Sequence, residues 1–188
     1  MGRKRIIVGI TGASGVIYGV RAISVLSKQP DIEVHLIFTA AGKRTLLEET
    51  DYSVKDVEAL AHVVHNPQDI GAPLSSGSFR TAGMLVAPCS IRSLSAIANG
   101  YDANLITRAA DVCLKERRPL VLLVRETPLH LGHLETMAKV ASYGAIIAPP
   151  VPAFYNRPAS IDDLVDHTVG RAFDVMGLEN ELVDRWKE

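Results

Sequence analysis

The chain has 188 residues, 47% of them hydrophobic, with 20 basic against 21 acidic side chains and a formal net charge of −1. That size buries one substantial core, and the composition excludes a disordered chain and a protein built to coat nucleic acid. Two cysteines are too few for a disulfide framework and suit a reducing cytoplasm, and no apolar run reaches membrane-spanning length.

The basic start, Gly2 to Arg5, faintly imitates a secretory signal, but the residues after it read as a first strand and helix. Ile6-Ile7-Val8-Gly9-Ile10 is the strand. It breaks into Thr11-Gly12-Ala13-Ser14-Gly15, whose small residues allow close backbone approach and whose following helix offers free N–H groups to an anion. Val16, Val20 and Ile23 share one face of that helix. The glycine spacing is G-x-x-G-x-x-G rather than the dinucleotide G-x-G-x-x-G, so the turn alone is also compatible with a tight connection that binds nothing. The second strand, Glu33 to Phe38, runs into Thr39-Ala40-Ala41-Gly42 without the acidic residue that a dinucleotide ribose requires. A mononucleotide such as FMN therefore fits better than NAD.

Ser53 is expected to cap a helix running to Val64, and Ser75-Ser76-Gly77-Ser78 lies in a long loop from His65 to Phe79. Further strands are expected at Gly83 to Pro88, Pro119 to Val124 and Ala145 to Ala148, with Gly100 and Gly144 stopping two helices. A second long loop, Pro149 to Pro158, carries Phe154-Tyr155-Asn156-Arg157. Ser160 starts a last helix whose Ile161, Leu164, Val165 and Thr168 point inward through Ala172, leaving Asp162, Asp163 and Asp166 outward or at the helix start. Apolar strands alternating with helices predict an α/β fold: a doubly wound parallel sheet, Rossmann-like or flavodoxin-like, with residues 1–188 as a single domain.

In such a sheet, ligands bind beyond the carboxyl ends of the strands. There the chain places Gly12-Ala13-Ser14, Thr39, Cys89-Ser90-Ile91-Arg92-Ser93, Arg125-Glu126 and, beyond the fifth strand, Tyr155. Cys89 sits where thiolates are activated, but no histidine or asparagine is placed to serve it, and a buried core cysteine is the expectation. His130 and His133 lack the helix spacing and third ligand of a zinc site. A short-chain dehydrogenase is disfavoured because Tyr52 and Lys55 stand one residue too close for its Tyr-x-x-x-Lys pair.

Thr11-Gly12-Ala13-Ser14-Gly15, Pro88-Cys89-Ser90, Arg108-Ala109-Ala110-Asp111, Leu114-Lys115-Glu116-Arg117-Arg118-Pro119-Leu120-Val121, Arg125-Glu126 and Phe154-Tyr155 occur in this order. Across nearly its whole length the chain thereby resembles the flavin prenyltransferases of the UbiX and Pad type, often filed as aromatic acid decarboxylase subunits. The resemblance implies transfer of a dimethylallyl group from dimethylallyl monophosphate to N5 and C6 of reduced FMN, giving prenylated FMN for a UbiD-type decarboxylase. It assigns FMN to Gly12, Ala13, Ser14, Thr39, Ser90, Ile91, Arg92, Ser93 and Arg125, with Ile91 and Arg92 acting through main chain. It assigns the prenyl phosphate to Arg108, Lys115, Tyr155 and Arg171, proton handling to Ser14 and Glu126, and a chemical or organising role to Glu49. No metal is implied. It further implies a cytoplasmic homo-oligomer, commonly a dodecamer, with sites shared between subunits. Leu182-Val183-Asp184-Arg185-Trp186 is then expected to dock on a neighbour or fold on its own subunit. Two alternatives stay open beside it: an FMN-binding, noncatalytic subunit of an aromatic or phenolic acid decarboxylase, and a peptidyl-cysteine decarboxylase, for which no catalytic histidine or asparagine-methionine loop is found.

Overall fold

Residues 2–183 are described by a computed structural model in which runs rich in Val, Ile and Leu form six strands, four of them all or mostly buried and the edge strands only partly so. In chain order the elements are β1 (Lys4–Ile10), α1 (Val16–Leu26), β2 (Ile32–Phe38), α2 (Ala40–Glu49), α3 (Val54–Leu60), β3 (Val63–His65), a 3-10 turn (Pro73–Ser75), β4 (Gly83–Cys89), α4 (Ile91–Ala98), α5 (Leu105–Lys115), β5 (Leu120–Val124), α6 (Leu131–Ser142), β6 (Ile146–Ile147) and α7 (Ile161–Val175). All strand pairs are parallel, in the order β3-β2-β1-β4-β5-β6. The order reverses between β1 and β4, which is the doubly wound arrangement expected from the alternation of elements. No helix among the described residues is long and apolar enough to cross a membrane.

Period-two alternation divides the core. Ile6, Val8 and Ile10 of β1, Val34 and Leu36 of β2 and Val121 and Leu123 of β5 pack with α1 and α7, whereas Ile7, Ile37, Leu120 and Leu122 pack with α4 and α5. A register shift between Val86 and Cys89 breaks the alternation in β4 and turns Cys89 into the second layer. Both cysteines are buried free thiols.

Two expectations require correction. The helix capped by Ser53 ends at Leu60, and Val63–His65 instead pairs with His35, Leu36 and Ile37. Ala61 adopts an extended conformation, and His62 then exchanges hydrogen bonds with the backbone of Val34, so the chain joins the sheet edge rather than continuing as helix. In α7 the inward face is Val165, Val169, Ala172 and Phe173, while Ile161 is 77% exposed. Asp166 is not outward either: it receives two hydrogen bonds from the Arg21 guanidinium of α1, and that fixed pair together with burial of Phe173 sets the rotation of the helix. Asp163 closes the capping box with Ser160 as expected.

The α5 terminus departs from glycine usage. Gly100 and Gly144 stop α4 and α6 with positive φ, but α5 ends with Arg117 at φ 54°. The Arg117 amide donates to the Leu114 carbonyl and the Arg118 amide to Cys113, the paired bonds of a Schellman turn.

His35 is the buried polar exception in β2. Its Nδ1 meets His65 Nε2 at 2.8 Å and its Nε2 meets Glu33 Oε1 at 2.7 Å. One tautomer satisfies the chain: His65 Nε2–H donates to His35 Nδ1, and His35 Nε2–H donates to Glu33. Burial lowers the pKa of both imidazoles, and the His35 hydrogen bond followed by Arg5 lowers that of Glu33. The unfolded chain therefore binds these imidazole protons more readily, so stability present above about pH 6.5 is lost as pH falls below it. Chemical denaturation midpoints are expected to fall between about pH 7.5 and about pH 5.5, and His35→Gln should shrink the difference. A variant as acid-sensitive as the parent would refute the assignment.

Candidate functional site

β1 and β4 part company beyond their carboxyl ends, and Thr11 fills the gap between them. This residue is 1% exposed, its hydroxyl donates to the Pro88 carbonyl at 2.8 Å, and it accepts from the Ser90 amide at 2.8 Å. The bond to Ser90 fixes the first residue of the turn into α4. The Ser90 hydroxyl then accepts from the Ser93 amide and donates to the Ser93 hydroxyl at 3.1 Å, capping α4. On the other side Thr39 caps α2, accepting from Gly42 at 3.0 Å and donating to the Ile10 carbonyl at 3.2 Å.

Between these two helix N-termini lies a cleft of about 240 Å³. Its lining joins Thr11 and Gly12 from the first turn, Thr39, Ala40 and Ala41 from α2, and Ser90, Arg92, Ser93 and Ala96 from α4. Gln68 from the long loop and Ala103, Asn104 and Thr107 at the start of α5 complete it. Arg92 is the one charged residue among them. Two helix dipoles, serine and threonine hydroxyls and one cation suit a phosphorylated ligand of flavin mononucleotide type.

The glycine turn uses its freedom differently from the expectation. At Gly15, φ is +94°, a left-handed conformation that reverses the chain into α1. At Gly12 a Cβ would stand 2.5 Å from the Ala41 methyl, so the bare backbone is what lets the turn pack on α2. The amides at the start of α1 are not free. Glu49, the last residue of α2, accepts from Gly15 N at 2.8 Å and from Val16 N at 3.3 Å. The chain's own carboxylate occupies the position where a ligand anion was anticipated, because a negative group at that dipole end is stabilising and α2 delivers it there.

Of the residues assigned to flavin, Gly12, Thr39, Ser90, Arg92 and Ser93 line one cleft. Ala13 is buried, Ser14 is exposed, Ile91 is half-buried, and none of the three belongs to that lining. Arg125 is exposed beyond β5, its amide bonded to the Cys89 carbonyl at 3.1 Å, and Glu126 accepts from the Thr127 amide at 2.9 Å. Arg108, Lys115, Tyr155 and Arg171 also stand outside the cleft lining. Arg108 pairs with Asp111 and Asp102, Lys115 with Glu116, and Arg171 with Asp174. The Tyr155 hydroxyl meets His167 Nε2 of α7 at 2.7 Å.

Cys89 is fully buried and burial pushes its thiol up to about 12, which removes it as a nucleophile near neutrality. His130 and His133 lie against each other as tilted rings, with centroids 3.5 Å apart and planes at 31°. Sequence reasoning reads Thr11 only as part of a motif and misses Gln68, Asn104 and Thr107. Asn104 and Thr107 carry a legible signal, the spacing of a capping box, and they form one at the start of α5. Gln68 carries none. The segment after Val183 in the expected docking tail lies outside the described residues.

The Flavoprotein family model matches residues 1–173. The chain is 57% identical over 186 residues to the flavin prenyltransferase UbiX of Escherichia coli strain K12, covering 98% of each protein. The crystal structure of AnUbiX (PadA1) in complex with FMN and dimethylallyl pyrophosphate is similar with a TM-score of 0.96 at 48% identity, over 99% of this chain and 98% of that one. A dodecameric FMN-dependent Ubix-like decarboxylase from Escherichia coli O157:H7 is similar with a TM-score of 0.95 at 48% identity, over 98% of this chain and all of that one, 100%.

Two substitutions test the supports of the cleft. Thr11→Val keeps the shape but leaves the Ser90 amide without its partner and the Pro88 carbonyl with only the long bond from the residue 11 amide, and is expected to cost about 1–3 kcal/mol in equilibrium unfolding. Glu49→Ala removes the carboxylate from the start of α1 and should cost roughly 1 kcal/mol. Denaturation at matched conditions measures both; a Thr11→Val protein as stable as the parent would contradict the role given to its hydroxyl.

Proposed function

The chain belongs to the Flavoprotein family and within it to the flavin prenyltransferases, and from that premise we propose that it transfers a dimethylallyl group from dimethylallyl monophosphate to N5 and C6 of reduced FMN, releasing phosphate. Residues 1–188 act as one flavin prenyltransferase unit. The observation that carries the flavin half of this reading is the cleft at the β1/β4 reversal, where the first turns of α2 and α4 and Arg92 converge. Its donors are fixed by Thr11, Thr39 and Ser90 before any ligand arrives, so binding reorganises little.

Reduced FMN, when bound, supplies the nucleophilic ring nitrogen and the carbon at which the new ring closes. The residues of the chain hold, orient and exchange protons around it. Gly12, Ala13 and Ser14 follow β1, Thr39 and the Ser90–Ser93 turn grip the phosphorylated end, and Arg125 approaches from the end of β5. Arg108, Lys115 and Arg171, with the Tyr155 hydroxyl, receive the prenyl phosphate. Each charge-assisted contact contributes about 1.5–3 kcal/mol, so several together stabilise the departing phosphate without a metal. Glu126 and Ser14 exchange protons with the flavin nitrogen and the leaving phosphate. Glu49 organises the site by holding the Gly15 turn, a role supported by its two amide contacts.

The phosphate-binding residues stand on α5, α7 and the 149–158 loop, and the assigned site is completed between copies of the chain in a homo-oligomer, a dodecamer by analogy with the similar assembly. The product passes to a UbiD-type decarboxylase. A cytoplasmic setting agrees with the two buried free thiols.

Anaerobic incubation of the purified chain with reduced FMN and dimethylallyl monophosphate, followed by mass analysis of the extracted flavin, tests the reaction. Wild type is expected to add one prenyl unit. Glu126→Gln and Lys115→Ala are expected to bind flavin yet turn over at least about 100-fold more slowly, the scale of losing a positioned proton donor or a transition-state cation. Recovery of unmodified flavin from wild type would reject the activity, and full turnover by both variants would reject the residue roles.

A further inference from the structure

The long loop after β3 returns to the molecule beside α5, and its attachment there is unusually dense. Arg118, immediately after the Schellman turn, has a side chain only 14% exposed. Its guanidinium donates to the Phe79 carbonyl at 2.9 Å, to the Thr81 hydroxyl at 3.2 Å and to the Gly77 carbonyl. Arg108 donates to the Ser75 carbonyl at 3.2 Å from the same helix. Four acceptors of the 75–81 loop are therefore held by arginines at the two ends of α5.

Gly77 is where this loop meets the lysine. A Cβ built there would collide with Glu116 Oε1 and stand 3.1 Å from Lys115 Nζ. Glu116 in turn joins the two cations, with one carboxylate oxygen 3.3 Å from Lys115 Nζ and the other 3.8 Å from the Arg118 guanidinium. Lys115 is otherwise a long, half-exposed side chain with many rotamers. The contacts around Gly77 restrict them: the loop backbone closes one side, Glu116 the other, and Arg118 fixes both.

We propose that Arg118 is a positioning residue for the prenyl-phosphate subsite, acting through the Gly77 carbonyl and Glu116 to hold the Lys115 ammonium, and that Gly77 lacks a side chain to leave room for the Glu116 carboxylate that holds that ammonium. This rests on the reading of Lys115 as a phosphate ligand. The clamp lowers the ordering cost of bringing a flexible cation to an anion, so its loss appears in use of the prenyl phosphate and not in flavin binding. The Arg117 conformation belongs to the same device: its left-handed φ ends α5 abruptly enough to turn the Arg118 side chain back over the loop.

Three variants of the full-length protein separate the possibilities: Arg118→Lys, which keeps the charge but loses the planar fork, Gly77→Ala, and Lys115→Ala as the reference. Steady-state prenylation at varied dimethylallyl monophosphate gives KM and kcat, flavin fluorescence gives the FMN Kd, and thermal unfolding monitors the fold. Arg118→Lys and Gly77→Ala are each expected to raise KM for the prenyl phosphate at least about tenfold while the FMN Kd stays within about twofold. If Lys115→Ala raises KM but the other two do not, the clamp is wrong and the lysine assignment stands. If Lys115→Ala leaves both KM and kcat unchanged, the lysine assignment fails and the clamp with it; if it lowers kcat alone, Lys115 acts only in the transition state and the binding clamp is wrong. Parallel loss of FMN affinity and thermal stability in Arg118→Lys and Gly77→Ala, without a selective change in KM, would make Arg118 merely structural and overturn the proposal.

Discussion

One buried hydroxyl organises the region on which the rest depends. Where β1 and β4 diverge, the ladder between them is reduced to one long bond from the Thr11 amide to the Pro88 carbonyl, and the Ser90 amide needs a partner. Thr11 answers both needs at once, donating to Pro88 and accepting from Ser90. A serine would offer the same hydroxyl with more rotamer freedom; the threonine methyl restricts it. From this tie the turn into α4 takes its position, and with it the capping of Ser93 and one wall of the cleft.

Charge is handled locally throughout. Glu49 neutralises the start of α1, Arg21 and Asp166 lock α1 against α7, and each cation assigned to the prenyl phosphate has a carboxylate beside it. The pairs of Arg108, Lys115 and Arg171 are partly solvent-exposed and each contributes little to folding. Their effect is geometric: each carboxylate helps fix where the cation of α5 or α7 stands.

Much of this was legible in the sequence because it is written in short-range patterns. The five longer apolar runs, the caps at Ser53 and Ser160 and the glycine stops at Gly100 and Gly144 follow from local chemistry, and all appear where those residues stand, the fifth run shortened to Ile146–Ile147. Val63–His65 escaped because three residues give no period, and only the open edge of β2 makes them a strand. The rotation of α7 escaped because Ile161 satisfies a helical pattern as well as Phe173 does, and the deciding contact, Arg21 to Asp166, spans 145 residues. Glu49 over the Gly15 amides is likewise a long-range event that no spacing announces. For the residues proposed to take the prenyl phosphate, the motifs identify residue types, while Arg108, Lys115, Tyr155 and Arg171 stand apart from the cleft lining in the chain itself.

The bond between Tyr155 and His167 carries a consequence of its own. His167 lies one helical turn before Arg171, so a loop that leaves the two-residue strand β6 is moored to the same helix that displays the arginine. Phenol and guanidinium are thus delivered from a single frame, and whichever surface receives one receives the other in a set spacing. Their mutual alignment is settled when the polypeptide folds, so the spacing between the two groups costs no further ordering afterwards.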